Sequence, residues 1–352
     1  MNNGNQSKLR IVGGVHHHEV NFCDVISLEN LLAAWREFKR GKTGKSDVAQ
    51  FAFNLEDNLF ALHGALRDGS WHPDSYEAFF VTDPKRRHIH KATVRDRVVH
   101  QALFRKLYPI FEKTFIHDSY SSRVGKGTHA GVERLENFVR RVSINYTKQV
   151  FALKCDVRFF DSISHDVLLE IIGRRIHDLD MMRLVQRIVR SFETASGKGL
   201  PLGNVTSQLF ANVYLNELDQ FTKRELKVGY YVRYCDDFMI LGETKEKLQR
   251  LIEVLRSFLQ SRLLLTLHPN KVSIRTPEQG IDFLGYVILP HYRVLRPRTK
   301  KRIVAAYARK ARAVKTDEEK EFLKSVLYSY KGVLIHCRGY RIWRQLDTGA
   351  SF

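Results

Sequence analysis

The chain has 352 residues, 43% of them apolar, enough to fill a sizeable core in one to three subdomains and too many for a disordered polymer. Lysine and arginine outnumber aspartate and glutamate by 58 to 38, a formal net charge of +20, which favours a polyanionic partner through release of its counterions. No apolar run is long enough to span a bilayer, the first residues lack the apolar core of a secretory leader, and Cys23, Cys155, Cys235 and Cys337 form no CxxC pair, so neither a spanning helix nor a disulfide scaffold nor a zinc ribbon is indicated and a soluble, cytoplasmic chain is expected.

Residues 1–24 mix Asn, Gly and His with few aliphatics and read as a flexible arm. His16-His17-His18 within them is a polar run, because no second cluster completes a metal site. From Leu28 the period turns helical, with Leu28, Leu31, Leu32, Trp35 and Phe38 on one stripe. The next helix carries Phe51, Leu55, Leu59, Leu62 and Leu66 and closes at Asp68-Gly69-Ser70. Ala78-Phe79-Phe80-Val81 reads as a strand, Asp83-Pro84 as a turn and Lys85-Arg86-Arg87 as the start of a returning strand. Three cations at such a tip suit a triphosphate, since guanidinium forks match phosphate oxygens; Arg86 serves equally well as a contact to a template backbone. Arg95-Asp96-Arg97 opens an amphipathic helix, and Asp96 at its positive N-terminus is read as structural. In the loop that follows, the glycines let a nucleic-acid strand approach the backbone near Arg123, Lys126 and Gly127. A helix with Val132, Leu135, Phe138, Val139 and Val142 inward then leads to an apolar strand, residues 150–157, that carries Asp156 near its end.

Tyr234-Cys235-Asp236-Asp237 lies between two short apolar runs, the pattern of a buried hairpin with an acidic turn. Strand side chains alternate between faces, so a turn is what can aim both acids at one point. Two desolvated like charges call for a cation, and carboxylate oxygens are what magnesium prefers. With Asp156 as a third carboxylate, two divalent ions about 3.5–4 Å apart would serve an in-line displacement on a nucleotide. Standing alone, an Asp-Asp pair is more often an ordinary polar turn. Residues 245–265 form a further helix, and His268-Pro269-Asn270-Lys271 places Lys271 near the acids, either to steer a phosphate or as a surface lysine. Past Pro290 the chain is expected to be helical and basic, with Arg293, Arg296, Arg298, Lys300, Lys301 and Arg302, and Tyr328, Tyr330, Tyr340 and Trp343 are expected in the core.

In this order the motifs resemble those of the reverse transcriptases. Lys85-Arg86-Arg87-His88-Ile89 with Arg95-Asp96-Arg97, the 118–128 loop, the strand from Asp156, Gly199-Leu200-Pro201-Leu202-Gly203-Asn204-Val205-Thr206-Ser207-Gln208, the Asp-Asp hairpin, His268-Pro269-Asn270-Lys271 and Phe283-Leu284-Gly285-Tyr286 span residues 80–290. The resemblance implies an α+β right hand: fingers in 25–145, a palm with an antiparallel sheet flanked by helices in 146–290 and a basic helical thumb in 291–352. It implies an RNA-directed DNA polymerase in which Asp156, Asp236 and Asp237, with the Val157 carbonyl, hold two Mg2+ ions, Mn2+ being a substitute. Lys85, Arg87, Phe160, Leu202, Gly203 and Lys271 would bind the dNTP. Arg86, Arg123, Lys126, Gly127, Arg296, Arg298, Lys300 and Lys301 would bind template RNA and the RNA–DNA duplex. No ribonuclease module is expected after the thumb.

An aliphatic residue at Leu202, where most relatives carry glutamine, resembles the enzymes of diversity-generating retroelements. That subtype implies error-prone copying at template adenines, mutagenic retrohoming and a small accessory protein. Loss of a side-chain amide would loosen selection, because an apolar pocket rejects near-isosteres weakly; plain packing is the other reading of Leu202. The alternatives are a group II intron, retron or phage-defence enzyme of ordinary fidelity, or a catalytically silent RNA-binding protein of the same fold. The chain departs from the pattern in one place: Phe159 and Phe160 follow Asp156 by one residue fewer than usual. One residue reverses the face of a strand, so Phe160 reaches the ribose only if a bulge or bend intervenes. Asp161 is read as a cap or ion-pair partner for a helix beginning around Ser164-His165-Asp166.

Overall fold

A computed structural model describes residues 20–82 and 86–348, so His16-His17-His18 and Lys85 lie outside the described residues. Helix α1 (Phe22–Ile26) begins at Asn21, which accepts from the Asp24 N–H while Asp24 accepts from the Asn21 N–H, a reciprocal capping box. The Phe22 N–H donates to Asp178, so residues 21–24, expected in the arm, are docked on the body of the protein. Helix α2 (Leu28–Phe38) starts on Ser27. The single helix expected to carry residues 51–66 is two, α3 (Ser46–Phe53) and α4 (Leu55–Arg67). Asn54 between them leaves helical geometry at φ −112°, ψ 46°. Strands β1 (Glu77–Val81) and β2 (Arg87–Lys91) form the expected antiparallel hairpin, Val81 opposite Arg87. Helix α5 (Val94–Glu112) is capped by Thr93, and buried Asp96 in its first turn accepts from the Trp71 indole and the Asp74 N–H, the structural role expected of it.

Helix α6 (Thr128–Val142) precedes β3 (Phe151–Arg158), a short 3-10 turn at Phe160–Ser162, α7 (His165–Gly173) and α8 (Leu179–Arg190). Ser164, rather than Asp161, caps α7 by accepting from the Val167 N–H. Helix α9 (Val205–Gln220) is buried around most of its circumference, as its lack of a polar stripe requires. There follow β4 (Tyr231–Tyr234), β5 (Asp237–Gly242), α10 (Lys245–Leu263), β6 (Thr266–Leu267), β7 (Ser273–Arg275), β8 (Ile281–Phe283) and β9 (Tyr286–Leu289). The chain does not turn helical directly after Pro290. A further strand, β10 (Tyr292–Leu295), pairs back on β9 and buries Leu295 opposite Tyr286 in the core beneath that sheet. Only then come α11 (Pro297–Ala313), α12 (Asp317–Leu334) and α13 (Tyr340–Thr348). Tyr328 and Tyr340 are exposed rather than in the core, since they lie away from the stripe of Leu323, Leu327, Leu334, Ile342 and Leu346 that the helices share.

The central sheet runs β4-β5-β3-β6, all antiparallel, with β7 sharing the second edge of β3; a separate sheet has the order β10-β9-β8. Alternation along β3 divides the interior. Leu153, Cys155 and Val157 enter a core built with α2, α5, α7 and α9, whereas Val150 and Ala152 enter a second core with α6, β8–β10 and α11–α13. On β5, Phe238 and Ile240 take the first side and Met239 and Leu241 the second. Asp156 and Asp237 continue the second set on each strand and therefore share one face.

A buried ion pair braces this sheet. Arg233 on β4 and Asp219 on α9, both fully buried, are joined by Nε to Oδ1 at 2.7 Å and Nη2 to Oδ2 at 2.6 Å. The guanidinium also donates to Ser119, Asn212 and the Cys235 carbonyl, and the Tyr231 hydroxyl donates to Asp219. Removing one partner of such a pair leaves an uncompensated charge indoors, so Arg233→Met should cost about 3–5 kcal/mol in urea unfolding. A loss below about 1 kcal/mol would show that the brace is dispensable.

Candidate active site

The β3–β5 register sets Asp156 directly opposite Asp237. Tyr234 pairs with Asp237, so Cys235 and Asp236 form a two-residue turn, with Cys235 at φ 55°. Left-handed backbone suits a tight hairpin turn, and Arg233 secures it through the Cys235 carbonyl at 3.1 Å. The Asp236 carbonyl in turn accepts from the Val157 N–H at 3.1 Å, binding the turn to the end of β3. Asp156 and the adjacent Asp236 and Asp237, 80 residues further along the chain, thus converge.

Their electrostatics are those of crowded carboxylates. Burial raises the Asp236 carboxyl above the usual range, and the charge of Asp156 adds to it. Asp237 is pushed up to about 6, chiefly by burial, with Lys154 opposing and Asp236 and Asp156 adding. Lys271 supplies a counter-charge: its ammonium donates to both oxygens of Asp156, at 3.0 and 2.9 Å. Among the described residues no three acidic, His or Cys side chains form a preassembled metal cage. The donor set nonetheless fits hard cations. It offers oxygen atoms alone, carboxylate with the Val157 carbonyl beside them, and a divalent ion would favour the ionised form of the two carboxyls that burial and neighbouring charge raise.

The other expected site residues fall into distinct places. Arg87 shares with Asp237, Lys126, Gly127, Arg296 and Arg298 the lining of a cleft of about 830 Å³. Arg86 lies over the Phe80 ring. Strand β3 ends at Arg158, and Phe159 bends the chain at φ −121°, ψ −81°. Phe160 therefore escapes strand alternation: Phe159 enters the core, while Phe160 is half-buried and its carbonyl accepts from the Leu200 N–H. The Leu202 carbonyl accepts from the His90 N–H on β2, and Gly203 at φ 120° lies so close to Ile89 that a Cβ would sit 3.1 Å from its Cγ2. Lys126 donates to the His117 carbonyl and covers the Tyr120 ring. Lys300 and Lys301 are exposed at the start of α11.

Arg123, expected at a nucleic-acid strand, is turned inward. Its guanidinium is engaged by Glu112 and by the carbonyls of Ile116 and Ser119, so it clamps the loop internally instead of reaching a nucleic-acid backbone. Lys154, Arg275 and Asp282, which sequence reasoning passed over, line a cavity of about 260 Å³ with Asp156, Asp237 and Lys271. The available signal was a charge inside an apolar strand, at Lys154 and again at Arg233.

The family model for reverse transcriptase (RNA-dependent DNA polymerase) matches residues 82–288. The chain belongs to the reverse transcriptase family. Its members are nucleotidyltransferases that use divalent metal ions. The chain is 25% identical over 277 residues to Protein YkfC of Escherichia coli K12, covering 67% of this chain and 72% of that protein. It is 23% identical over 319 residues to the group II intron-encoded protein LtrA of Lactococcus lactis subsp. cremoris, covering 70% of this chain and 51% of that one. The chain thus spans about half the length of LtrA. A solved telomerase from Candida albicans, in complex with a telomeric RNA fragment, is similar at 10% identity with a TM-score of 0.45, over 84% of this chain and 64% of that one. No helix among the described residues is long and apolar enough to cross a membrane.

The Asp237 shift fixes a pH dependence. Its folded-state value lies above the ordinary 3.8, so the proton stabilises the folded chain fully below 3.8, and that stability is lost as pH rises through about 6. In metal-free buffer at pH 8, Asp237→Asn should therefore melt higher than the parent, by about 1–3 kcal/mol. The gap should narrow below pH 6 and close near pH 4, and a pH-independent gap would contradict the assignment.

Proposed function

We propose that this chain extends a DNA 3′-hydroxyl with deoxynucleoside triphosphates on a template RNA, with fingers in residues 25–145, a palm in 146–290 and a thumb in 291–352. The observation that carries the reading is the pairing of Asp156 with Asp237 on adjacent strands, beside Asp236 at the turn. Asp156, Asp236, Asp237 and the Val157 carbonyl hold two magnesium ions, for which manganese can substitute. Divalent ions bound there supply activation of the attacking hydroxyl and neutralise the leaving pyrophosphate. Arg87 and Lys85 take the triphosphate from the fingers side and Lys271 from the palm side. Phe160, Leu202 and Gly203 shape the space for ribose and base. Lys126, Gly127, Arg296, Arg298, Lys300 and Lys301 follow the phosphates of template and duplex, with Arg86 at the fingertip; contact with a duplex through shape and phosphates needs no base readout.

Asp236→Asn should reduce primer extension about a hundredfold or more while leaving duplex binding in place. Undiminished extension would remove the metal mechanism. No extension by the parent chain with its RNA present would favour a silent binder.

Within the family we infer loose selection of the incoming nucleotide, of the diversity-generating type, with a small accessory protein as a further partner. Support comes from Leu202: its backbone is committed to His90, and its half-buried side chain offers the pocket no hydrogen-bonding group. Leu202→Gln should lower errors opposite template adenine about tenfold in sequenced cDNA. An unchanged error spectrum would favour the second reading, an intron-type enzyme of ordinary fidelity, which the likeness to LtrA supports.

A further inference from the structure

Lys271 approaches the acids from outside the β3–β5 pair. It closes the turn after His268 by donating its N–H to the His268 carbonyl, and the His268 N–H donates to the Asp156 carbonyl at 2.7 Å. The turn is therefore anchored on the very residue that its lysine covers. The Lys271 side chain is 42% exposed and that of Asp156 only 10%. The carboxylate is held by its strand, whereas the ammonium rides on a flexible four-carbon stem that can swing into the cleft. Of the other cations lining the cavity, Lys154 donates to the Asp282 carbonyl and Arg296 pairs with the Asp282 carboxylate.

We propose that Lys271 is a latch on the metal site, bonded to Asp156 in the substrate-free chain and drawn off it by the phosphates of an incoming nucleotide. This rests on reading the three acids as metal ligands. Both Asp156 oxygens are occupied by the ammonium, so a divalent ion must compete for them. A triphosphate gives the ammonium more highly charged acceptors and frees the carboxylate. Metal and nucleotide then bind cooperatively, each tightening the other by the same factor, as linkage requires. Lys271 is a positioning residue in this scheme, since it sets when Asp156 becomes available.

The test measures Mn2+ binding by electron paramagnetic resonance, on the full chain with a template–primer ending in a dideoxynucleotide, with and without the next dNTP. Binding by an Asp156→Asn chain under the same conditions is subtracted, and thermal melting confirms that each variant is folded. Lys271→Met should bind Mn2+ about fivefold or more tightly than the parent without nucleotide, and the tightening that dNTP adds should shrink in proportion. Lys154→Met, which removes a cation from the same cavity but not from Asp156, should do much less. Equal affinity and equal nucleotide-induced tightening in parent and Lys271→Met would overturn the latch while leaving the metal site intact. An effect of Lys154→Met as large as that of Lys271→Met would also overturn it, reducing the result to general charge. If no chain binds Mn2+ above the Asp156→Asn level even with dNTP, the metal reading falls and the latch with it.

Discussion

The Arg233–Asp219 ion pair is the constraint on which the candidate site depends. Burial pulls against the guanidinium charge, and Asp219 more than restores it, holding the group above its ordinary value. The pair is satisfied on every side, and its partners belong to separate elements: Asp219 and Asn212 on α9, Ser119 in the loop before α6, and the Cys235 carbonyl in the acidic turn. The backbone of Arg233 adds to this, its N–H donating to Asp118 and its carbonyl accepting from Tyr120. A hairpin tip is ordinarily the loosest part of a sheet. Here a charge that cannot tolerate displacement fixes it, and with it Asp236 and Asp237.

The second constraint is repulsion. Strand alternation forces Asp156 and Asp237 onto one face, and the turn adds Asp236, so three like charges are brought together at partial burial. Such a cluster stands only if protons, cations or lysines offset it. The chain uses two of these: raised proton affinity at Asp236 and Asp237, and the Lys271 ammonium on Asp156. The destabilisation stored in the acids is what a divalent ion would relieve, so affinity for the ion and strain in its absence share one cause.

Around the acids, short backbone hydrogen bonds connect parts of the chain that move apart in sequence. The bend after Arg158 lets Phe160 meet Leu200, and the same loop reaches Leu202 to His90 on the β1–β2 hairpin. The β1–β2 hairpin, with Arg87, is thereby registered against the palm strand through main-chain contacts that substitution of side chains does not erase. The basic residues of α11 close the opposite wall of the cleft, which matches the excess of positive charge over the whole chain.

Local pattern by itself determined the hairpin of β4 and β5, the strand ending near Asp156, the helices at α2, α5, α6 and α10, and the candidacy of the three acids, because periodicity and turn chemistry act over a few residues. It also carried the family resemblance, since the motifs lie in order along the chain. Tertiary structure decided what local pattern could not hold. The break at Asn54 and the extra strand β10 depend on packing partners far away. Arg123 reads as a free cation until Glu112 is folded onto it, and Phe160 reads as misplaced until the bend after β3 is seen. Arg233 gave a faint signal as a charge in an apolar strand, but its partner Asp219 lies on helix α9, and an ion pair between separate elements has no period for a sequence to display.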